Sequence, residues 1–512
     1  MSMPRVLRWA WRAGWWLLSI ALALALGFTM YAVTALPALQ PWHKLVLKEE
    51  FDAQRDAGLD FAAYQQLETR LFDELRSRAE AWARDGLDPD CTPAPKCVAQ
   101  AQEVFGYSRF NPAGVPLHLA DGAPYNRSFR LTLPQPLGRA LLMHGLTDSP
   151  YSVRALARTL HARGFEVTVL RLPGHGTLPS MMSVMSARDW TAAVRLAARD
   201  VAGRTPSGQP FYIGGYSSGG TLALQYALDA LQDSALRRPD RVLLISPAIE
   251  LTPVAALSEI IDLFTVVPLP VLQKVHWQEV APEFDPYKFN SFPVNASRQI
   301  NRATRALQRS LADGEAAGRL SQLPPVVAWQ SVVDSTVGSR GVVDQVFARL
   351  RDPAHRLVMF DMNRSSALRS VARPAARELI ERLASAPRGY TLDVVSNGEL
   401  ADARVMVHRL ATDGTRTSRE TGLAWPSDLV SLSHVALPFA QDDPVYGFIP
   451  GSGHAGIPSI GSWLLRGESG AITLSLGSLT RLRSNPFWAL IEEDVAGLVA
   501  QDLAAARAQQ SR

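Results

Sequence analysis

The sequence predicts an α/β fold in which a mostly parallel sheet is covered by helices on both faces. From residue 128 onward, short β-rich apolar runs alternate with amphipathic helical segments, which is the pattern of strand–helix–strand units. One such run, 211–216, is followed at once by a glycine- and serine-rich turn and a helical segment. With 512 residues, 47% hydrophobic and 20% charged, the chain has the composition of a globular protein and the length for a large domain with insertions.

The strands and helices follow from this alternation. Strands are predicted at Ser128–Leu133, Ala140–His144, Phe165–Leu170, Phe211–Tyr216, Arg241–Ser246, Val326–Gln330 and Arg356–Asp361, and helices at about 150–163, 187–202, 219–232 and 339–351. The first two strands are joined by Pro-Gln-Pro-Leu-Gly, which predicts an antiparallel hairpin. Long insertions at 248–322 and 365–433 interrupt the pattern, and the aromatic-rich first one is expected to form a helical cap over a pocket.

The N-terminal residues have a different character. Arginines precede an uncharged apolar run from 14 to 36, and about 20 such residues cross the hydrocarbon core of a membrane. Basic residues on the N-terminal side predict that residues 1–13 stay cytoplasmic and that the rest faces a periplasm-like space. We therefore expect an uncleaved, single-pass signal anchor in the inner (cytoplasmic) membrane. A cleaved signal peptide, with an apolar core of typically about 7–15 residues, is the alternative.

Residues 37–105 are predicted to connect this anchor to the remaining domain, 106–512. Leucines recur at helical spacing in its first part, which indicates a helical stem, and a Pro-rich stretch ends that helix. Cys91 and Cys97 are the 2 cysteines of the chain, so a disulfide-rich scaffold and a Cys-ligated zinc site are excluded. We expect a disulfide between them, which export would permit, and two free thiols in a surface loop are the alternative.

The sharpest motif is Gly-Tyr-Ser-Ser-Gly at 215–219, between a predicted strand and a predicted helix. This is the context of a G-x-S-x-G nucleophile elbow, in which a tight turn exposes a serine hydroxyl at the edge of the sheet. The motif predicts Ser217 as a nucleophile. A Gly-Ser turn without chemistry is the alternative.

A second motif, His-Gly-Leu-Thr at 144–147, ends an earlier strand. Acyl transfer needs N–H donors for the developing oxyanion. The residue after the nucleophile, Ser218, is expected to give one donor, and Leu146 in the loop after the early strand is expected to give the other. His144 is interpreted as a structural histidine that organises this loop, and not as the catalytic base.

Together these motifs resemble the α/β-hydrolase superfamily, in its carboxylesterase and monoacylglycerol-lipase-like branch. The matching segments are HGLTDSPYS at 144–152, RLPGHG at 171–176, Asp-Trp at 189–190, GYSSGG at 215–220 and SVVDSTV at 331–337. The resemblance covers about 128–361 and the final helix, fits the insertions only loosely and does not cover residues 1–100. It implies a sheet of about eight strands and a triad in the chain order Ser, acid, His.

The acid is predicted from its position just past a late strand. Asp334 follows the strand PPVVAWQS, where a carboxylate can hold an imidazole, and the resemblance points to the same residue. The alternative is an Asp that caps the helix expected near Val337. Asp344 and Asp361 are the reserve candidates.

The base is harder to assign. Of the 10 histidines, chain order leaves His355, His408, His434 and His454. The first precedes its strand, at the wrong end of the sheet, and the second lies in a strand-like surface run. The family pattern places the base soon after the last strand, where this chain has no histidine. We therefore expect the insertion at 365–433 to expand that loop and the chain to return at Ser-Leu-Ser-His434-Val, with His454 in a glycine-rich loop as the competitor.

The expected activity is ester cleavage through a Ser–Asp–His triad and an acyl-enzyme, on a small acyl-ester or lipid substrate. No metal or organic cofactor is expected, and the acidic residues Asp285, Asp442 and Asp443 are interpreted as solvated turns, not calcium ligands. The membrane is the expected partner, through the N-terminal helix. A net charge of +4 is too small to indicate nucleic acid, and the oligomeric state is left open. A peptidase or acyltransferase of the same fold and a non-catalytic envelope binding protein are the alternatives.

Overall fold

A computed structural model gives the architecture of the chain. It describes residues 38–87, 105–106, 108–112, 124–250, 270–334, 336–364, 374–398, 402–427, 429–447 and 481–510, with isolated positions before residue 38. Apart from a few of those positions, the predicted anchor lies outside the described residues, as do both cysteines and His454. Within the described residues, no helix combines the length and the apolar character needed to cross a membrane.

The described chain alternates strands and helices as the sequence predicts. The strands are β1 Phe129–Leu131, β2 Gly138–Met143, β3 Phe165–Leu170, β4 Phe211–Tyr216, β5 Arg241–Ile245, β6 Trp277–Glu279, β7 Phe292–Pro293, β8 Val326–Ser331, β9 Arg356–Phe360, β10 Thr391–Asn397, β11 Arg404–Leu410 and β12 Arg416–Ala424. The α-helices are α1 Pro41–Lys44, α2 Phe61–Asp85, α3 Arg154–Ala162, α4 Ala187–Gly203, α5 Ser218–Asp229, α6 Val294–Ala316, α7 Ser339–Gly341, α8 Pro374–Ser385 and α9 Trp488–Gln510. Short 3₁₀ helices and one π-helical turn join them.

The main sheet has the strand order β1-β3-β2-β4-β5-β8-β9-β10-β11-β12. From β3 to β10 every neighbouring pair is parallel, so the predicted mostly parallel sheet is confirmed. Successive residues of each strand face opposite sides. Leu141 and Met143 therefore join the apolar cluster on one face, and Ala140 and Leu142 join the cluster on the other.

The predicted hairpin between the first two strands is wrong. β1 pairs antiparallel with β3, Phe129 opposite Val169, and has no ladder with β2. The reason is burial: β2 is almost completely buried and has a parallel neighbour on each side, so no edge of it is free. The partly exposed β1 takes the free edge of β3 instead.

The sheet has ten strands, whereas about eight were expected. The additional strands come from the insertion at 365–433, in which β10 pairs parallel with β9 and then β11 and β12 continue antiparallel. This insertion therefore extends the sheet sideways, because β10 is buried along most of its length and needs β9 as a partner. It is not a loop region at the end of the sheet.

The other insertion has the predicted helical character in its described part, 270–322. Helix α6 packs against α5, the helix after the elbow, and β6 and β7 form a small antiparallel pair. Trp277, Tyr287 and Phe289 are buried, so these cap aromatics pack inside the protein.

The described part of the expected stem is not a spacer. On α2, Phe61, Tyr64 and Leu67 belong to the same apolar cluster as the sheet. The Tyr64 hydroxyl donates to the carbonyl of Arg171 at 2.7 Å, and the Arg171 Nε atom lies 2.8 Å from Glu68 Oε1. The apolar face of the helix needs a partner, and it finds that partner on the domain that follows.

Candidate active site

The elbow at Ser217 joins β4 to α5 through a strained backbone. Ser217 has φ 53° and ψ −119°, in a region that non-glycine residues rarely adopt. A side chain at Gly215 would collide with the backbone of Gly219, and one at Gly219 would collide with the carbonyl of Met143. Only glycine fits at these positions, and this close packing holds the serine hydroxyl at the carboxyl end of the strand.

His434 lies between Ser217 and Asp334. Its Nε2 atom is 3.1 Å from Ser217 Oγ, and its Nδ1 atom is 2.9 Å from Asp334 Oδ2. A carboxylate only accepts hydrogen bonds, so Nδ1 carries the proton and Nε2 is left to accept the serine hydroxyl. The ring of Tyr216 lies 5.0 Å from the imidazole and packs beside it. The structure thus brings together the three residues that the sequence proposed for the triad.

The chain reaches His434 because the ends of the second insertion meet. Met362, just past β9, forms an antiparallel bridge with Ser431, and the N–H of Asn363 donates to the carbonyl of Val430 at 2.8 Å. The insertion therefore leaves and re-enters the fold at one place, and His434 follows a few residues later, at the carboxyl ends of β8 and β9.

The Asp334 carboxylate is buried and heavily hydrogen-bonded. Its Oδ1 atom accepts the N–H groups of Thr336 and Val337, each at 2.9 Å, so the residue closes a turn. It does not cap a helix, because α7 begins at Ser339 with Gly338 at its N-cap and no side-chain cap. Its Oδ2 atom accepts the amide of Gln330 at 3.0 Å as well as His434. Burial by itself would raise the pKa of Asp334, but His434 and these N–H groups outweigh it and hold the pKa below its ordinary value.

The proposed oxyanion donors belong to two different segments. Ser218 is the first residue of α5, and Leu146 lies in the loop after β2. Neither N–H donates a hydrogen bond to another described residue. A Cβ atom at Gly145 would lie 2.8 Å from the ring of Tyr216, so the loop packs directly against the elbow. Among the described residues, both N–H groups thus lack a protein acceptor, which an oxyanion donor requires.

The other histidines have different surroundings. His144 is buried, and its Nε2 atom accepts the N–H of Leu172 at 2.9 Å, while Nδ1 lies 2.8 Å from the carbonyl of Gly145. Burial, and then His175, lower the pKa of His144 well below its ordinary value, so it stays neutral. His355 accepts the N–H of Val326 at the opposite end of β8.

The remaining base candidate in the described residues, His408, and the two reserve acids make other contacts. His408 lies 2.8 Å from the hydroxyl of Ser418 on the neighbouring strand. Asp344 pairs with Arg382 and Asp361 with Arg364. Within the described residues, none of these groups forms a hydrogen bond with Ser217, whose hydroxyl lies beside His434.

The interpretation of Asp285 and Asp443 as solvated turns is wrong. Both are buried, with 1% and 7% of their surface exposed. Asp443 accepts the hydroxyl of Tyr151 at 2.8 Å, and Asp285 accepts the hydroxyl of Tyr446 at 2.5 Å. These bonds and the N–H groups of their own turns compensate for the loss of water at Asp443 and at Asp285 Oδ1, whereas Asp285 Oδ2 has no hydrogen-bond partner among the described residues. Within the described part of the chain, no cluster of His, Cys, Asp or Glu side chains is arranged to hold a metal ion.

Sequence reasoning also missed Asp148 and Lys288. Asp148 stands within the HGLTDSPYS segment, and Lys288 of the cap lies 3.6 Å from its carboxylate. No sequence pattern joins the two residues, and only the packing of the cap on the loop shows the contact.

Comparison with known proteins supports the same fold. Residues 134–305 match the hydrolase family model described as "Serine aminopeptidase, S33". A thermostable monoacylglycerol lipase of Bacillus sp. (strain H-257) is 38% identical over 92 residues, which are 18% of this chain. That match spans 35% of the relative's own length.

Solved structures also align with part of the chain. The structure reported for the metagenome-derived lipolytic enzymes LipS and LipT is 22% identical, with a TM-score of 0.35, and the alignment covers 44% of this chain and 84% of that one. A monoacylglycerol lipase of Paleococcus ferrophilus is 17% identical, with a TM-score of 0.34, and the alignment covers 46% and 88%. The elbow and the sheet order, taken with the matched family model, show an α/β-hydrolase fold, and the chain is similar to that family over residues 134–305 and to a monoacylglycerol lipase over 92 residues.

Proposed function

We propose that this protein is a serine hydrolase that cleaves acyl esters, of the carboxylesterase or monoacylglycerol-lipase type. The observation that carries the proposal is the position of His434, within hydrogen-bonding distance of both Ser217 and Asp334. A serine hydroxyl is a weak nucleophile unless a base takes its proton, and a carboxylate on the far side of the imidazole orients that base.

The steps follow from this arrangement. As Ser217 Oγ attacks the ester carbonyl, its proton passes to His434 Nε2, and Asp334 stabilises the imidazolium that forms. The carbonyl oxygen becomes an oxyanion, which accepts the N–H groups of Leu146 and Ser218. His434 then gives the proton to the leaving alcohol, and the acyl-enzyme remains. Water, deprotonated by the same imidazole, releases the acid and restores Ser217.

The ester class rests on the sequence match to a monoacylglycerol lipase, and the substrate is proposed to be a small acyl ester or monoacyl lipid. An apolar N-terminal anchor at 14–36 would hold the enzyme at the inner membrane, with its catalytic domain on the periplasmic side and close to such lipids.

A peptidase is the second candidate, because the matched family model is described as a serine aminopeptidase. The same triad serves amide cleavage and acyl transfer, and the pocket decides between them. A non-catalytic envelope binding protein would not need an oriented base beside a strained serine.

A substrate panel tests these candidates. p-Nitrophenyl esters of increasing acyl length, run beside aminoacyl p-nitroanilides, should show turnover of the esters only. A fluorophosphonate probe should label the wild type and not Ser217→Ala, which separates any serine hydrolase from a binding protein. Faster cleavage of the anilides would favour the peptidase, and an unlabelled wild type would refute a serine hydrolase.

A further inference from the structure

The cap holds the loop that carries Leu146 at two neighbouring points. The N–H of Phe289 donates to the carbonyl of Thr147 at 2.8 Å, and Lys288 Nζ lies 3.6 Å from Asp148 Oδ1. Thr147 has φ 66°, in the left-handed region that costs free energy for a residue with a branched side chain. The loop therefore depends on such outside contacts to keep its shape.

Asp148 is packed directly against the backbone of this loop. Its side chain is 7% exposed, and its Oδ2 atom would lie 2.7 Å from a Cβ atom placed on Gly145, the residue before Leu146. Burial raises the pKa of Asp148, and the ammonium of Lys288 opposes that effect. Without Lys288, the carboxylate would lose its compensating charge and would either take up a proton or move toward solvent.

The cap turn that presents Lys288 and Phe289 is itself fixed. Asp285 Oδ1 accepts the N–H groups of Tyr287 and Lys288 at 3.0 and 3.1 Å, and it also accepts the hydroxyl of Tyr446. Tyr446 lies in the segment that follows His434. One buried carboxylate thus ties the cap turn to the segment after the base, and the cap turn in turn holds the oxyanion loop.

We propose that Lys288 and Asp148 are positioning residues that set the N–H of Leu146 toward the oxyanion, so that the cap turn 285–289 contributes to the rate of ester cleavage. The inference rests on the proposed function and deepens it. An oxyanion donor accelerates the reaction only when it is held in place before the charge develops, and a displacement of about 1 Å costs up to about 100-fold in rate. Lys288 acts through Asp148 and does not touch the substrate.

The test uses the full-length protein and p-nitrophenyl butyrate. Lys288→Met should lower kcat roughly tenfold or more and leave KM within about twofold, since the contact acts on the transition state and not on substrate binding. Lys288→Arg keeps the positive charge and should recover most of kcat. Lys44→Met, at an exposed lysine of α1, is the matched control and should behave as the wild type. Melting temperatures separate a folding defect from a loss of rate.

Asp148→Asn provides an independent variant, because it removes the charge and keeps the shape. It should lower kcat as Lys288→Met does, and the double variant should lose no more than the worse single variant, because the two side chains act as one unit. Wild-type kcat in Lys288→Met, or equal losses in Lys288→Met and Lys288→Arg, would overturn the proposal. An unlabelled wild type with the fluorophosphonate probe would overturn the proposed function itself, and this inference with it.

Discussion

The Nδ1 atom of His434 lies 2.9 Å from Oδ2 of Asp334, and both side chains are almost completely buried. Few water molecules reach this contact, so the carboxylate fixes the orientation of the imidazole strongly. The opposite nitrogen then points at Ser217, 3.1 Å away.

Ser217→Ala should abolish ester turnover and leave the fold intact, because the hydroxyl is the atom that attacks and its removal adds no strain. Turnover of p-nitrophenyl esters measures the loss, and circular dichroism with a thermal melt checks the fold. Turnover at the wild-type rate in a folded variant would show that another residue is the nucleophile.

His434→Ala should lower kcat by about 10³-fold or more, because an unassisted serine is a poor nucleophile at neutral pH. His454→Ala is the matched comparison and should cost far less. Steady-state kinetics on both variants decides between the two residues. An inactive His454→Ala beside a nearly normal His434→Ala would transfer the role of the base to the glycine-rich loop.

The Asp334 carboxylate should make stability depend on pH in a definite direction. Folding lowers its pKa from 3.8, so the unfolded chain binds more protons between the two values and stability rises with pH there. The contribution is complete above the unfolded pKa and is lost as the pH falls through the lower, folded pKa. The difference in melting temperature between the wild type and Asp334→Asn should therefore be constant near neutral pH and shrink below about pH 4. A difference in melting temperature that grows as the pH falls would contradict the predicted direction of the pH dependence.

Arg171→Met should destabilise the protein by about 3–5 kcal/mol, because it leaves buried carboxylates without their partner. The Arg171 guanidinium is fully buried and pairs with Glu50 and Glu68 at 2.9 and 2.8 Å. Arg70→Met is the control, since its pair is exposed and should contribute no more than about 1 kcal/mol. Urea unfolding followed by fluorescence gives the free energy of unfolding of both variants. Equally small losses in the two variants would mean that residues 38–87 contribute little to the stability of the domain.

The protein is expected to remain in the membrane fraction after washing with salt and with alkali, and its bulk should be accessible to protease from outside. The physical reason is the uncharged run 14–36, which is long enough to cross the hydrocarbon core. A chain that lacks residues 1–36 is the control and should leave the membrane. Recovery of a soluble mature chain that starts after Leu36 would show a cleaved signal peptide.

Much of the fold was predictable because its signals are local. The strand runs of β3 and β4 were predicted to the residue, since continuous apolar runs bounded by turns are readable over a few positions. The partner of β1 was not readable, because pairing depends on which strand edges remain free after the whole sheet has assembled. The same limit hid how the second insertion extends the sheet: the run that contains His408 was predicted to be strand-like, but its pairing with β10 and with the largely exposed edge strand β12 was not predictable.

The sequence by itself determined the elbow, because the tight turn at Ser217 admits only glycine at fixed neighbouring positions, and it named Asp334 and His434 as candidates. Only the tertiary structure decided that these residues meet. The bridge between Met362 and Ser431 closes the insertion and thereby brings His434 back to the carboxyl end of the sheet. Likewise, Asp285 was expected in a solvated surface turn, but in the structure it is buried and its carboxylate joins the cap to the segment after His434. The physical reason is that contacts between distant segments depend on chain closure and burial, which no local window of residues encodes.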